Sequence, residues 1–250
     1  MLGVRWEIAA TARARATVHP AMCARILLVE DDDDLRDVLA GALLAEGHDV
    51  RAVPDGEGAL DALAAERHEL VLLDLGLGPR GPDGIGVCRR LRASDIEPFV
   101  MVLTARGDEA DIVLALEAGA DDYVRKPVGI AELRSRVRAA LRRLSVPAVE
   151  RGSLRSGALE LDADARTVRW EGAELRLTPS EFAVLEALMH AAGGVRSRVE
   201  LVRAIFGDDA FRDPRAIDVH VHHLREKLTE AGGDPAAIAT VRGAGYRLAA

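Results

Sequence analysis

The chain of 250 residues contains only two cysteines, Cys23 and Cys88. They are too few for a disulfide framework and lack CxxC or CxxH spacing, which argues against structural zinc and predicts a reducing, cytoplasmic location. No apolar run reaches membrane-spanning length, so no membrane partner is expected. With 49% hydrophobic and 30% charged residues, the composition is that of a globular protein, and the length favours two domains.

An excess of positive charge is also missing, because the formal net charge is -8. This argues against a protein that coats nucleic acid over its whole surface, but it leaves a local basic face open. Lysine is as scarce as cysteine and occurs only at Lys126 and Lys227. A lysine at position 126, in a chain that otherwise uses arginine, indicates a site that needs a compact ammonium, unless the choice is neutral.

The chain divides by its hydrophobic pattern. Residues 1–24 lack the apolar stretch of a signal peptide and are predicted to be a disordered extension, or to precede a true start at Met22. In residues 25–144, short apolar strands alternate with amphipathic helices in five β-α units. This predicts a doubly wound α/β domain with a five-stranded parallel sheet of order 2-1-3-4-5. Residues 145–156 break the pattern and are predicted to be a linker.

Residues 157–250 have a different pattern, which predicts an α+β domain of short strands, three helices and a terminal strand pair. Thr178 with Glu181 forms a capping box that begins the helix Pro179 to His190, and Ser197 with Glu200 repeats it for the next helix. The third helix is predicted from about Pro214 to Thr229. Its apolar face consists of Ile217, Val221, Leu224 and Leu228.

Polar side chains follow the predicted strands of the first domain where each strand ends. In a doubly wound sheet, ligands bind at the carboxyl ends of the strands. The residues there are Glu30, Asp31, Asp74, Thr104 and Lys126. Because clustered carboxylates repel one another unless a cation neutralises them, the cluster predicts Mg2+. Asp74 is the candidate nucleophile toward a phosphoryl group, whose oxygens Lys126 and Thr104 would hold.

Two other patterns have simpler interpretations. Asp32, Asp33 and Asp34 are predicted to cap the first helix and to face solvent. The run from Gly76 to Gly81 fits GxGxxG, but it is not in the first β-α unit and its proline disturbs a phosphate-binding helix start. This run is therefore predicted to be a loop with turn glycines.

These motifs resemble the receiver domain of bacterial two-component response regulators in the stretches Ile26–Asp32, Leu72–Leu75, Asp83–Gly84, Leu103–Arg106, Gly119–Val124 and Lys126–Pro127. The resemblance implies that Asp74 accepts phosphate from a sensor histidine kinase. It implies Mg2+ bound by Asp31, Asp74 and the Gly76 carbonyl with help from Glu30. Thr104 and Tyr123 would form the switch that changes the partner preference of the receiver.

The third helix of the second domain carries several positive or titratable groups, and the terminal strand pair adds Arg242 and Arg247. Such a helix can enter a major groove, although a solvated polar face is the alternative. The surrounding motifs resemble the OmpR/PhoB winged-helix output domain in the stretches Leu177–Phe182, Arg215–Val221, Leu224–Leu228 and Val241–Arg247. The resemblance implies DNA contacts by Arg215, His222, His223 and Arg225, and by Arg242 in the wing.

The resemblance also implies a homodimer of phosphorylated receivers on direct repeats of promoter DNA, with RNA polymerase as a possible partner. The dimer pairs would be Asp121 with Arg143 and Asp122 with Arg136. Ile112 stands where relatives carry the basic partner of Glu132, which predicts a weaker dimer.

Three further departures concern the loop between Asp74 and Asp83, the residue after Lys126–Pro127, and the recognition helix. The loop is two residues longer than the family pattern, and Val128 replaces a phenylalanine. His222 and His223 stand where arginine is common, which predicts DNA binding that strengthens in acid.

The function predicted is a phosphorylation-dependent, DNA-binding transcriptional regulator rather than a conventional enzyme. One alternative is a Mg2+-dependent phosphohydrolase, although that class normally has a second aspartate, acting as general acid, where this chain has Gly76. The other is a phosphorylation-controlled protein-interaction module that does not bind DNA.

Overall fold

The structure is a computed structural model that describes residues 23–94, 97–105, 109–144, 152–207, 214 and 216–249, leaving out the side chains of residues 109, 143 and 144. The first half contains five strands, β1 (Arg25–Val29), β2 (Asp49–Val53), β3 (Leu70–Asp74), β4 (Phe99–Thr104) and β5 (Asp122–Arg125). Its helices are α1 (Asp33–Leu44), α2 (Gly56–Ala65), α3 (Gly84–Arg92), α4 (Glu109–Glu117) and α5 (Ile130–Leu144). The predicted extension, residues 1–24, lies almost wholly outside the described residues.

The five strands form one parallel sheet of order β2-β1-β3-β4-β5, which confirms the predicted topology. Side chains alternate between its faces, so that Leu70 and Leu72 pack on one side while Val71 and Leu73 pack on the other. Both faces are therefore buried beneath helices. Asp32 caps α1 by accepting a hydrogen bond from the Leu35 N–H, as predicted for this acidic run.

The second half begins with a four-stranded antiparallel sheet of β6 (Ser153–Ser156), β7 (Leu159–Asp162), β8 (Thr167–Trp170) and β9 (Ala173–Leu175). Three helices follow, α6 (Pro179–His190), α7 (Arg198–Phe206) and α8 (Ala216–Glu230), and then a short 3-10 helix (Pro235–Ala237). The chain ends in the antiparallel pair β10 (Ile238–Val241) and β11 (Gly245–Leu248). Both predicted capping boxes are present.

One boundary differs from the prediction. β6 falls inside the predicted linker, residues 145–156, because residues 153–156 pair in register with β7. The strand has only four residues and its side chains alternate between exposed and half-buried, so the sequence pattern did not reveal it. Residues 153–156 are therefore part of the four-stranded sheet.

The two halves pack against each other through helices and one buried polar contact. α4 lies against α8, and α5 lies against α7. The rings of Phe99 and Phe206 meet edge to face with centroids 6.3 Å apart. Asp121, which precedes β5, accepts a hydrogen bond of 2.8 Å from the Ser180 N–H at the start of α6. Part of the second domain's helical face is therefore buried against the first domain.

Candidate functional site

Three carboxylates meet at the carboxyl end of the parallel sheet. Asp74 is the last residue of β3, while Glu30 and Asp31 directly follow β1. One carboxylate oxygen from each lies within 4.8 Å of the others. Glu30 and Asp74 are buried and Asp31 is exposed, so the cluster has one side open to solvent.

Lys126, which directly follows the edge strand β5, contacts two of these carboxylates. Its Nζ lies 2.6 Å from Asp74 Oδ2 and 2.7 Å from Glu30 Oε2. The Lys126 N–H donates a 2.7 Å hydrogen bond to the Thr104 carbonyl, which ties the loop after β5 to the end of β4. Lys126 therefore forms ion pairs with two carboxylates, which agrees with the predicted need for a compact ammonium at this position.

This cluster carries more negative than positive charge. Burial raises the pKa of Glu30 above its usual value, and the neighbouring charge of Asp74 raises it further, although the hydrogen bond from Lys126 opposes both. Burial opposes the charge on Lys126, but hydrogen bonds to Asp74 and Glu30 raise its pKa above the usual value. Lys126 contacts two of the three carboxylates and supplies one positive charge, so an added cation would relieve the remaining repulsion.

The donor set fits Mg2+. Glu30, Asp31 and Asp74 offer hard oxygen ligands, and the exposure of Asp31 leaves room for the several waters that Mg2+ keeps. The Gly76 N–H donates to Asp74 Oδ1 at 3.1 Å, so this glycine already orients the acid. Coordination by its carbonyl stays a prediction.

The two predicted switch residues lie on adjacent strands. Thr104 ends β4 with 1% of its surface exposed, and Tyr123 in β5 is half-buried. Tyr123 pairs in register with Val102 and packs against the core on the α2 and α3 side of the sheet. Thr104 therefore lies at the carboxyl end of the sheet, and Tyr123 lies two residues before the end of the neighbouring strand β5.

The predicted recognition helix is α8, and its predicted apolar face is buried. His222 is exposed and lies 3.3 Å from Glu226, whereas His223 is largely covered and lies 3.5 Å from Glu181. Arg225 donates to the Ile238 carbonyl and to Thr240 Oγ1, so it braces the wing.

Of the two remaining residues predicted to contact DNA, the structure describes Arg242 but not Arg215. Arg242 is exposed in the turn between β10 and β11, at the tip of the wing. Arg215 lies outside the described residues.

The predicted dimer residues make contacts within one chain. Arg136 lies 2.8 Å from Glu132 and 3.5 Å from Asp122. Asp121 Oδ2 accepts from Arg92 at 2.7 Å, while its Oδ1 accepts from Ser180. The side chain of Arg143 lies outside the described residues, and the pairs between two chains stay predictions.

Glu181 is a buried acid whose wider role the sequence did not indicate. It closes the predicted capping box, and it also accepts from Lys227 Nζ at 2.6 Å. Burial opposes its charge, but hydrogen bonds from His223 and Lys227 lower its pKa to about 2. The local sequence pattern of this capping box is the same as that of Ser197 and Glu200. The two boxes differ in the residues that pack on each helix, which the local pattern does not contain.

Comparison with known proteins agrees with this geometry. Residues 26–138 match the family model "Response regulator receiver domain", and residues 172–248 match "Transcriptional regulatory protein, C terminal". Over 223 residues the chain is 42% identical to the transcriptional regulatory protein AfsQ1 of Streptomyces coelicolor, covering 89% of this chain and 97% of that one. It is 44% identical to the DNA-binding response regulator MtrA of Mycolicibacterium smegmatis, covering 89% and 96%.

The chain is a two-component response regulator of the OmpR/PhoB class. A solved structure of a RitR mutant is similar over 90% of this chain and 99% of that one, with a TM-score of 0.73 and 26% identity. The first half of this response regulator is thus a receiver and the second a winged-helix DNA-binding domain. Neither the phosphohydrolase nor the interaction module without DNA binding is favoured. Among the residues that the structure describes, no helix has the length and apolarity needed to cross a membrane.

Proposed function

We propose that Asp74 accepts a phosphoryl group from a sensor histidine kinase and that this modification controls promoter binding. The observation that carries the proposal is the contact of Lys126 Nζ with both Asp74 and Glu30 at the carboxyl end of the sheet. A phosphoryl group on Asp74 would meet a cation already in place. Magnesium-dependent phosphorylation and dephosphorylation of itself is the only chemistry proposed for this chain.

In the proposed step, an Asp74 carboxylate oxygen attacks phosphorus as the bond from phosphorus to the donor histidine nitrogen breaks. The donor leaves with that electron pair. Lys126 then contacts a phosphoryl oxygen, and the Thr104 hydroxyl donates to another. Glu30, Asp31, Asp74 and the Gly76 carbonyl would hold Mg2+, which would neutralise negative charge on the phosphoryl oxygens.

Intact mass tests this step. After incubation with a small acyl phosphate and Mg2+, wild type should gain one phosphoryl group, and it should gain none when the metal is chelated. Asp74→Ala should stay unmodified, whereas Asp37→Asn, which removes an exposed carboxylate of α1, should behave as wild type. Labelling of Asp74→Ala, or a wild type that neither acyl phosphate nor a phosphorylated histidine kinase modifies, contradicts the proposal.

The proposed DNA contacts are those of Arg215, His222, His223, Arg225 and Arg242. His222 and Arg242 are exposed, which supports direct contact of these two side chains with DNA. Arg225 donates hydrogen bonds to β10, which supports a role for Arg225 in positioning the wing. Arg242→Ala should weaken binding to all DNA sequences alike and lower the slope of affinity against salt by about one. An unchanged salt slope contradicts a phosphate contact by Arg242.

The proposed active form is a cytoplasmic homodimer on direct repeats, with RNA polymerase as a further partner. The pairs of Asp121 with Arg143 and of Asp122 with Arg136 would replace contacts that Asp121, Asp122 and Arg136 make within one chain. Because Ile112 is buried and offers Glu132 no charge, dimerisation should be weak. Sedimentation of phosphorylated protein over a concentration series measures this, and tight dimers contradict it.

A further inference from the structure

The recognition helix is partly buried in the contact between the two domains. α8 packs against α4 of the receiver, and His220 of α8 is only 2% exposed. A titratable side chain thus lies in the interface that covers this helix. Most of the charged residues of α8 lie elsewhere, toward solvent or the wing.

Asp121 is the receiver residue that joins the two domains at this point. Its Oδ1 accepts from the Ser180 N–H of α6, while its Oδ2 accepts from the Val100 N–H and from Arg92. A carboxylate at a helix N-terminus is favourable because the free N–H groups there carry partial positive charge. Asp121 of one domain therefore caps a helix of the other.

The ring of His220 lies beside this cap. One ring nitrogen hydrogen-bonds to the backbone of Asp121, while Nε2 is buried without a partner among the described residues. A neutral imidazole fits this setting, because an unprotonated Nε2 has no proton to donate. A second N–H on Nε2 would be a buried donor with no acceptor, which is costly.

The two acids that act electrostatically on His220 are already engaged by donors. Asp121 has three donors, and Glu181 of α6 is bound by Lys227, His223 and the Thr178 N–H. α4 contributes Asp111 and Glu117, which are half-buried and exposed. Burial lowers the pKa of His220, although the negative charges of Asp121 and Glu181 oppose this shift.

We propose that His220 is a pH-sensitive latch between the two domains, whose protonation separates α8 from the receiver and frees the recognition helix. The closed form holds a neutral imidazole, whereas the open form exposes an ordinary histidine that takes up a proton below about pH 6.5. The closed form is therefore favoured above that pH. Lowering the pH from 7.5 to 5.5 should raise the ratio of open to closed molecules about tenfold.

Hydrogen exchange of the Ser180 amide measures this opening directly in the full, unphosphorylated chain. Among the residues that the structure describes, its N–H donates only to Asp121 across the domain contact, so its protection factor reports the ratio of closed to open molecules even when opening is rare. The matched control is the Gly58 amide, which Asp55 caps in the same way within the receiver alone. Both rates are normalised to the intrinsic exchange at each pH.

In wild type, protection of Ser180 should fall about tenfold between pH 7.5 and pH 5.5, while that of Gly58 stays constant. In His220→Asn, the protection factor of Ser180 should be the same at both pH values, whatever its absolute size. The matched control His222→Asn, which replaces an exposed histidine of the same helix, should retain the pH dependence. Constant protection of Ser180 in wild type, or a fall that persists in His220→Asn, overturns the proposal.

The consequence for DNA rests on the proposed role of α8, and it is tested separately. Affinity for promoter DNA of unphosphorylated His222→Asn, His223→Asn protein should rise in acid, and the rise should vanish when His220→Asn is added. A latch that opens in the exchange measurement without any gain in DNA affinity would show that the domain contact does not limit DNA binding, and it would leave the latch intact. Both measurements use unphosphorylated protein, so they do not depend on phosphorylation of Asp74. Failure of that phosphorylation would appear only in the intact-mass test.

Discussion

Two groups of buried carboxylates in this molecule differ in how fully their charges are compensated. At the carboxyl end of the sheet, Glu30 and Asp74 share the single ammonium of Lys126. At the domain contact, Asp121 and Glu181 each accept from a cation and from backbone N–H groups. The pKa of Glu30 is raised above its usual value by burial, whereas hydrogen bonds lower that of Glu181 to about 2.

This difference separates a site that can react from contacts that hold the structure together. An under-compensated cluster gains from an added cation, and it gains again when a phosphoryl group brings oxygens for that cation and for Lys126. A fully compensated carboxylate gains nothing from a ligand, and its loss leaves buried donors without partners. Charge compensation therefore indicates which acids bind ligands and which stabilise the fold.

The largest expected effect is on stability at the compensated group. Glu181→Ala leaves Lys227 and the Thr178 N–H without their buried acceptor, and it should lower the free energy of unfolding by about 3–5 kcal/mol. Glu30→Gln should lower it far less, because the charge of Glu30 is already unfavourable where it is buried. Urea unfolding of both variants measures the difference. Equal losses would contradict the distinction between the two groups.

Much of the receiver site could be predicted from sequence for a topological reason. Asp74 and Thr104 end apolar strands and Lys126 follows one, and parallel strands bring their carboxyl ends to one edge. The helix starts at Thr178 and Ser197 were predictable because a capping box is local.

The contacts of Asp121 and His220 were not predictable, because they depend on how two independently patterned domains pack. From the family resemblance alone, Asp121 was expected to face a second chain. In the structure, its carboxylate is engaged by Arg92, Val100 and Ser180 of its own chain. No periodicity or local motif contains that information.

The next effect in size is stabilisation of the under-compensated group by Mg2+. At a concentration ten times its dissociation constant, the metal should raise the free energy of unfolding of wild type by about 1.4 kcal/mol. Asp31→Asn removes one ligand of the cluster and should abolish most of this gain, while Asp37→Asn should keep it. Thermal unfolding with and without chelator measures each value. The same gain in Asp31→Asn as in wild type would place the metal elsewhere.

The two groups should also give opposite slopes of stability against pH. Since the folded protein lowers the pKa of Glu181, its contribution is complete above the unfolded value near 4.5 and is lost as the pH falls toward 2. Since the folded protein raises the pKa of Glu30, protonation of Glu30 favours the fold as the pH falls toward 4.5. Unfolding free energies from pH 7 to pH 3 should show the first slope missing in Glu181→Ala and the second missing in Glu30→Gln. Slopes that survive in both variants would assign the effects to other groups.

The smallest expected effect comes from the second capping box, which isolates the role of burial. Glu200 occupies the same position in α7 that Glu181 occupies in α6, and each accepts from the N–H of its capping residue. Glu200 is half-exposed, its cation Arg196 lies at 3.2 Å, and its pKa is lowered mainly by the Ser197 N–H. Water can replace these bonds, so Glu200→Ala should shift the urea midpoint by only a small fraction of the Glu181→Ala shift. Urea midpoints that shift by similar amounts in the two variants would mean that the capping hydrogen bonds, and not the buried charge of Glu181, account for the loss of stability.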